Sequence, residues 1–263
     1  MSKKLLVITS LFALIFLLTP GFVLAKQDED EDQTPEQNGT YNVPGHPKLK
    51  VRVFVHEPKQ PTSSPAPSLN CNWTDPDSGS VVGITGWYLP KGTWSYYLNT
   101  ASVPLVIGAS KLTTLTNYAF AEWTKNTTVS KNITFTQAGT TTKNQKAFDG
   151  KNIIAWGKTA GTALAVTYTW YYPSNGMVAE TDTIMNKKFS WTWTPYKQGV
   201  CVNAGTYDAQ NILTHELGHW VGLDDEYAGI FADNTMFGYG SKGELKKDTL
   251  TWGDLTAVTS VYP

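Results

Sequence analysis

The alternation of apolar and polar residues along the chain predicts several short strands. Near the N-terminal end, the run Leu49-Lys-Val-Arg-Val-Phe-Val55 alternates with a period of two, which is typical of a strand with one buried face. Its flanks are polar on one side and Pro- and Ser-rich on the other. Farther along, runs rich in β-branched and aromatic residues predict strands over 94–99, 133–136, 153–156, 164–172 and 178–185.

Helical spacing of apolar residues predicts three helices among these strands. The first covers 111–125, where Leu112, Leu115, Ala119 and Trp123 would share one face. The second begins after Asp208, a residue type that caps helices, and runs to about Gly222. The third covers 251–262, with Thr251 or Asp254 as its cap. Strands combined with a few helices in this way predict the α+β class.

Composition narrows the range of partners. The chain of 263 residues has a formal net charge of -1, so no electrostatic attraction to nucleic acid or other polyanions is expected. Its 10 Trp, 13 Tyr and 10 Phe favour β-structure. The length allows one large or two small domains.

The N-terminal residues have the features of an export signal. Residues 1–25 combine Lys3 and Lys4 with an apolar run and a small-residue ending, Val23-Leu24-Ala25, which together predict a cleaved signal peptide. The protein is therefore expected to be secreted. The alternative is an uncleaved anchor that keeps the protein at the cell surface, and only in that case would the membrane be a partner.

Between the signal and the regular pattern lies a segment of different composition. Residues 26–69 contain an acidic run, the short predicted strand and a Pro-rich stretch, and they are interpreted as either a propeptide or a solvated spacer. Residues 70–263 then form the third predicted part of the chain and carry its chemistry.

The strongest motif is His215-Glu216-Leu217-Gly218-His219. On a helix, His215 and His219 project from one face, where two imidazoles can bind one metal ion. Glu216 would lie beside that metal and could take a proton from a metal-bound water. The pattern is typical of zinc hydrolases, and it predicts zinc as the metal.

The residues that follow extend the motif. Gly222 can end the helix on a left-handed residue and reverse the chain. In the extended pattern His-Glu-x-x-His-x-x-Gly-x-x-His of zinc metallopeptidases, the third ligand lies ten residues after the first His, and here that position is Asp225. Asp224 and Glu226 are competing ligands in the same turn.

The chain from about residue 71 to 263 resembles the metzincin zinc metallopeptidases. Aspartate as third ligand is similar to the snapalysin-type branch, while the surrounding chain resembles the matrixin catalytic domain. The resemblance implies a twisted mixed sheet with a helix, an active-site helix, a methionine turn and a C-terminal helix. It places Met236 in the methionine turn and implies one catalytic zinc. No histidines remain for a second, structural zinc site.

The resemblance also implies how a substrate would bind. An extended peptide would pair with the main chain of Leu164 and Ala165 along an edge strand. Phe237 and Tyr239 would form a wall of the pocket on the primed side, and the enzyme is expected to act as a monomer.

Two cysteines, Cys71 and Cys201, remain in a chain predicted to be exported. Their even number predicts one disulfide, which on the chain-entropy model would stabilise the fold by roughly 4 to 5 kcal/mol. The alternative is that the Cys71 thiolate blocks the zinc of a latent precursor, as in matrixins.

The leading functional hypothesis is a secreted zinc endopeptidase that acts on peptide or protein substrates. The alternative is a catalytically silent cell-surface adhesion domain on the same fold, against which the intact His215, Glu216 and His219 argue. Calcium is a possible additional ion, since Asp149, Asp182 and Asp233 lie near predicted loops, although no dense ligand run is present.

Overall fold

A mixed sheet of eight strands forms the centre of the structure. The computed structural model describes residues 34–59, 69–71, 74–195 and 201–263, so the predicted signal peptide lies outside the described residues. The strands are β1 (Gly39–Asn42), β2 (Lys50–Pro58), β3 (Leu69–Asn70), β4 (Gly92–Leu98), β5 (Ile133–Thr140), β6 (Asn152–Gly157), β7 (Ala165–Tyr172), β8 (Met177–Asn186), β9 (Trp191–Thr192), β10 (Val202–Asn203), β11 (Tyr207–Asp208) and β12 (Tyr239–Gly240). The α-helices are α1 (Leu112–Thr124), α2 (Val129–Asn132), α3 (Ala209–Trp220) and α4 (Trp252–Val261).

The strand order of the main sheet is β1-β2-β7-β8-β6-β4-β5, and β12 pairs with β2 outside this path. The β5, β4, β6 and β8 strands are parallel to their neighbours, whereas β7 runs antiparallel to β8. The α1 helix connects the parallel strands β4 and β5, because a parallel pair needs a crossover connection. The predicted α+β class is confirmed, with the strands and the three predicted helices near their expected positions.

The sheet has a buried cluster on each of its faces. The larger one joins the sheet to α1, α3 and α4, and the tryptophans Trp123, Trp156 and Trp220 are fully buried in it. The second cluster lies on the opposite face and is formed mainly by strand residues. The apolar residues predicted to form a core therefore divide into two layers, one on each face of the sheet.

The β2 strand is an interior strand of the sheet, although its polar and Pro-rich flanks suggested a disordered spacer. It lies between β1 and β7, antiparallel to both, and extends from Lys50 to Pro58. Because side chains alternate along a strand, Val51, Val53 and Val55 enter the second cluster, while Phe54 enters the first. The segment that could have been a spacer thus contributes a central strand of the sheet.

The predicted disulfide is confirmed. The sulfur atoms of Cys71 and Cys201 lie 2.05 Å apart and link two chain segments 130 residues apart in sequence. The paired strands β3 and β10 lie next to this link. Since Cys71 is bonded to Cys201, it has no thiolate to offer to a metal, which removes the alternative of a zinc-blocking cysteine in this form of the chain.

Within the described ranges, every helix is too short or too polar to cross a bilayer.

The α4 helix is fastened to the loop that contains Met236. The sequence offered Thr251 or Asp254 as the cap of α4; Thr251 is the cap, and the two residues form a reciprocal capping box. The buried Asp254 carboxylate also accepts hydrogen bonds from the backbone N–H groups of Thr235, at 2.9 Å, and Met236, at 3.3 Å. One side chain therefore holds both the start of α4 and the Met236 loop.

Replacing Asp254 by Ala is expected to lower the free energy of unfolding by about 2 to 4 kcal/mol, because buried backbone donors lose their acceptor. Urea unfolding followed by tryptophan fluorescence measures the change. Asp233→Ala is the matched control, since that carboxylate is 51% exposed and pairs only with Lys246 on the surface. Equal effects of the two substitutions would contradict the anchoring role of Asp254.

Candidate metal centre

The α3 helix positions the motif residues. It begins where the Asp208 side chain accepts hydrogen bonds from the backbone N–H groups of Gln210 and Asn211, so the predicted cap is confirmed. His215 and His219 lie one turn apart, Glu216 directly follows His215, and all three side chains are fully buried. The helix thus holds two imidazoles and a carboxylate together in the interior.

The turn after α3 brings a second carboxylate to the histidines. Gly222 adopts a left-handed φ of 96°, and a Cβ there would stand 2.6 Å from the carbonyl oxygen of Trp87, so only glycine fits. The chain then reverses, and Asp225 Oδ1 lies 3.1 Å from His215 Nε2 and 3.5 Å from His219 Nε2.

The competing carboxylates of this turn face elsewhere. Asp224 accepts a hydrogen bond from Arg52 and one from the backbone N–H of Asp225. Glu226 accepts from the backbone N–H of Gly83 at 2.8 Å. Of the three acidic residues that the spacing left open, the structure brings Asp225 to the histidines.

Backbone carbonyl groups fix the orientation of both imidazoles. His215 Nδ1 lies 2.8 Å from the carbonyl oxygen of Thr235, and His219 Nδ1 lies 2.9 Å from that of Leu223. A carbonyl oxygen only accepts, so each Nδ1 carries the proton and each Nε2 presents a lone pair. Two lone pairs and a carboxylate oxygen therefore converge on one point.

These three converging atoms lack hydrogen-bond partners. His215 Nε2, His219 Nε2 and Asp225 Oδ1 are buried and unsatisfied among the described residues. Because unsatisfied buried polar atoms are costly, a metal cation between these atoms would stabilise the arrangement, and the three groups could hold one. Nitrogen and oxygen ligands of a tetrahedral zinc ion stand about 3.3 Å apart, close to the observed spacings. The donor set fits zinc.

Burial also sets the charge state of the rings. It lowers the pKa of His215 to about 4, despite the nearby Asp225, so this ring is neutral near pH 7. For His219, burial lowers the pKa, while the Asp225 carboxylate raises it, and the net direction is upward. A cation in the site would oppose that rise by repelling the second proton.

Glu216 is held from two sides. Its Oε2 accepts a hydrogen bond from Thr167 Oγ1 at 2.6 Å. Thr167 Oγ1 lies 2.7 Å from Thr183 Oγ1, which in turn accepts from Trp220 Nε1 at 3.0 Å. Because Thr167 gives its proton to Glu216, Thr183 must donate to Thr167. Burial raises the pKa of Glu216 to about 7, a value suited to accepting a proton near neutral pH.

The second partner of Glu216 is His56, which the sequence analysis did not assign to the site. His56 Nδ1 lies 3.1 Å from Glu216 Oε1, and His56 Nε2 lies 3.1 Å from the Nζ of the buried Lys247. An ammonium group only donates, so Nε2 is the acceptor and Nδ1–H donates to Glu216. The alternation of valines in β2 was the available signal, since it places His56 on the opposite face.

The residues expected to hold a substrate contact β2 instead. The backbone N–H of Leu164 donates to the carbonyl oxygen of His56 at 2.7 Å, and Ala165 stands opposite His56 in the register. Tyr239 stands opposite Glu57 in the parallel pairing of β12 with β2. Phe237 lies buried nearby, and its carbonyl oxygen accepts from Lys247. The expected peptide groove is thus filled by the chain itself.

Met236 lies beneath the metal-site helix. A Cβ on Gly218 would stand only 2.2 Å from Met236 Sδ, so the methionine packs directly on the glycine between His215 and His219. The preceding residue, Thr235, supplies the carbonyl that orients His215. Met236 and Thr235 therefore both contact the part of α3 that carries the histidines.

The acidic residues considered for calcium have other partners. Asp182 accepts from the backbone N–H groups of Ala147 and Ile153, at 3.1 and 3.0 Å, and thereby fastens a loop to the sheet. Asp149 pairs with Lys143. Asp233 is on the surface, 3.5 Å from Lys246. None of the three belongs to a group of donors close enough to share an ion within the residues described.

Two such donor groups exist in the described part of the chain: His215, His219 and Asp225, and His56, His215 and Glu216. A scan against protein-family models and a search of curated proteins found no match to this chain.

Glu180 is a second buried carboxylate that holds the loop attached by Asp182. It accepts hydrogen bonds from the backbone N–H groups of Asp149 and Gly150. Burial raises its pKa from 4.5 to about 7. The folded chain therefore keeps a proton on Glu180 that the unfolded chain releases. The stabilisation that this proton gives to the folded state is complete below about pH 4.5 and is lost as the pH rises through about 7.

Glu180→Gln is therefore expected to flatten the fall in stability between about pH 5 and about pH 7.5, which urea unfolding at the two pH values measures. Glu57→Gln, at an exposed position, is the control and should leave the slope unchanged. A Glu180→Gln protein with the parental slope would show that Glu180 does not titrate in this range.

Proposed function

We propose that the chain is a zinc-dependent endopeptidase that hydrolyses peptide bonds. The observation that carries this proposal is the convergence of His215 Nε2, His219 Nε2 and Asp225 Oδ1, all buried and unsatisfied, next to the Glu216 carboxylate. A donor set of this kind beside a carboxylate with a raised pKa is the arrangement that metal-assisted hydrolysis needs.

The architecture supports the metzincin resemblance as part of this proposal. The chain order is β4, α1, β5, β6, β7, β8, α3, the Met236 loop and α4. It follows the order expected from the resemblance, with an antiparallel strand, β7, beside the helix that carries the histidines. Asp225 at the third position corresponds to the snapalysin-type form of the motif.

Each residue then has a defined role. His215, His219 and Asp225 would hold one zinc ion, which, when bound, polarises the scissile carbonyl group and makes a water molecule more acidic. Glu216 accepts the proton from the nucleophile at Oε1 and later gives it to the leaving amine. Thr167 keeps Glu216 Oε2 in place throughout, and the carbonyl groups of Thr235 and Leu223 keep the imidazoles in the required tautomer.

A peptide substrate would lie in extended form along β7, in the place that β2 occupies in this form of the chain. Leu164 and Ala165 would pair with its main chain, and Phe237 and Tyr239 would border the pocket on the other side. We include secretion in the proposal, on the basis of the signal-like residues 1–25 and of the Cys71–Cys201 disulfide.

The complete burial of the centre favours a second candidate, a catalytically silent adhesion domain. In the described form, Glu216 is inaccessible to solvent. Hydrolysis of an unfolded protein by the secreted, processed chain separates the two candidates, since an adhesion domain would show none.

The purified chain is expected to bind one zinc ion, and Asp225→Ala is expected to weaken that binding at least about tenfold because a ligand is lost. Elemental analysis and competition with a chromophoric chelator measure the change. Asp224→Ala is the matched control, since its carboxylate faces Arg52. Zinc loss in the control with full retention in Asp225→Ala would reverse the ligand assignment.

Glu216→Gln is expected to retain zinc while peptide hydrolysis by the processed protein falls roughly a hundredfold to ten-thousandfold, because the amide cannot accept the proton. Glu226→Gln is the control and should keep the parental rate. Parental turnover by Glu216→Gln protein would eliminate the general-base role.

A further inference from the structure

Asp248 is a buried carboxylate that lacks hydrogen-bond partners. The residue is only 1% exposed, and both Oδ1 and Oδ2 are buried without a hydrogen bond. In the part of the chain that the structure describes, it also forms no ion pair. Because a buried, unpaired carboxylate is unfavourable, this group would be stabilised by a cation beside it.

The backbone around Asp248 is attached to the core on both sides. The backbone N–H of Lys247 donates to Asn211 Oδ1 in α3 at 2.8 Å. The carbonyl oxygen of Thr249 accepts from Thr235 Oγ1 at 2.7 Å. These two hydrogen bonds hold the segment before α4 in place and keep the Asp248 side chain in the interior.

Other carboxylates surround Asp248 and make its charge still less favourable. Burial raises its pKa well above the ordinary value, and four neighbouring carboxylates raise it further, those of Asp208, Glu122, Asp75 and Glu244. Protonation would remove the charge but would leave both oxygens without partners. A bound cation would satisfy the oxygens and offset the repulsion together.

Glu122 brings another unsatisfied oxygen to this cluster. Its Oε1 accepts from Lys125 Nζ at 2.6 Å, whereas its Oε2 is buried and has no hydrogen-bond partner. Burial raises the pKa of Glu122, Lys125 lowers it, and Asp75 raises it. Asp75 therefore acts electrostatically on both Glu122 and Asp248, so the three carboxylates share one region.

Solvent reaches this cluster on the side of Asp75, which is exposed. Asp75 Oδ1 accepts a hydrogen bond from Thr249 Oγ1, and Thr249 directly follows Asp248. Both Asp75 and Thr249 line a cavity of about 200 Å³. The buried carboxylate thus lies next in sequence to a residue that borders an open space.

We propose that Asp248, Glu122 and Asp75 form a calcium site that joins α1 to the segment before α4. The cluster offers carboxylate oxygens, which suit calcium, and Asp248 can bind through both of its oxygens. The three are not among the groups whose donor atoms lie within 4.8 Å of one another, so water would complete the coordination, as is common for calcium. The proposal does not depend on the peptidase function, since these residues lie outside the candidate metal centre.

Terbium luminescence tests the site, because Tb³⁺ occupies calcium sites and emits when a nearby tryptophan absorbs light. Trp123 follows Glu122 in α1, and Trp252 lines the same cavity as Asp75. The probe is Tb³⁺ titrated into the full chain in the presence of zinc, with calcium as the competitor. The parental chain is expected to give saturable emission that calcium displaces.

Asp248→Asn and Glu122→Gln keep the side-chain shape and remove the charge. Each is expected to weaken Tb³⁺ binding at least tenfold, because a ligand is lost. Asp233→Asn is the matched control and should bind as the parent does, since that carboxylate lies on the surface near Lys246. Unchanged binding in both test variants, or no saturable emission from the parental chain, would overturn the proposal.

Thermal unfolding distinguishes a calcium ligand from a carboxylate with a purely structural role. Without calcium, Asp248→Asn is expected to be no less stable than the parent, because repulsion among the carboxylates is relieved. Millimolar calcium should raise the unfolding midpoint of the parent and leave that of the variant unchanged. Equal responses to calcium would overturn the proposal. If Asp248→Asn does not fold, Glu122→Gln takes its place in both measurements and is judged by the same outcomes.

Discussion

The metal centre depends on two hydrogen bonds from imidazole nitrogens to backbone carbonyl groups, those of Thr235 and Leu223. They fix which nitrogen of His215 and His219 carries the proton and aim the other at Asp225. Both carbonyl groups belong to segments that follow α3, so the ligands are correct only when the turn at Gly222 and the Met236 loop are in place. The fold below the helix therefore positions the candidate metal ligands.

Two strands of the sheet supply the hydrogen-bond partners of Glu216. A carboxylate this deeply buried is costly unless its oxygens are satisfied, and the strands supply both partners: Thr167 from β7 and His56 from β2. The two partners differ in kind. Thr167 belongs to a chain of hydroxyl groups that continues through Thr183 to Trp220 within the core. His56 comes from β2, whose pairing with β7 brings it beside Glu216.

Buried carboxylates elsewhere in the interior attach loops to the helices and the sheet. Asp254 holds the Met236 loop on α4, and Asp182 holds a loop on β8. Each accepts hydrogen bonds from backbone N–H groups that would otherwise be buried without partners. Asp182, which the sequence offered for calcium, is explained in this way, because both of its oxygens accept hydrogen bonds from the protein.

The sequence by itself determined the local features of the protein. The spacing of His215 and His219, the cap at Asp208, the left-handed Gly222 and the capping box at Thr251 are set by neighbouring residues, so they were predictable. The order of strands and helices followed from hydrophobic periodicity in the same way. The pairing of Cys71 with Cys201 needed only their even number in a chain expected to be exported.

The tertiary structure decided which distant groups meet. Asp224, Asp225 and Glu226 all carry a carboxylate in the same turn, so the sequence does not distinguish them as ligands. The direction of the chain after Gly222 brings Asp225 to the histidines. His56 lies 160 residues from Glu216 in sequence and Lys247 lies 191 residues from His56, so no local pattern could place them together. Their proximity arises because β2 pairs with β7 and β12, and strand pairing depends on long-range register, which single-sequence periodicity does not encode.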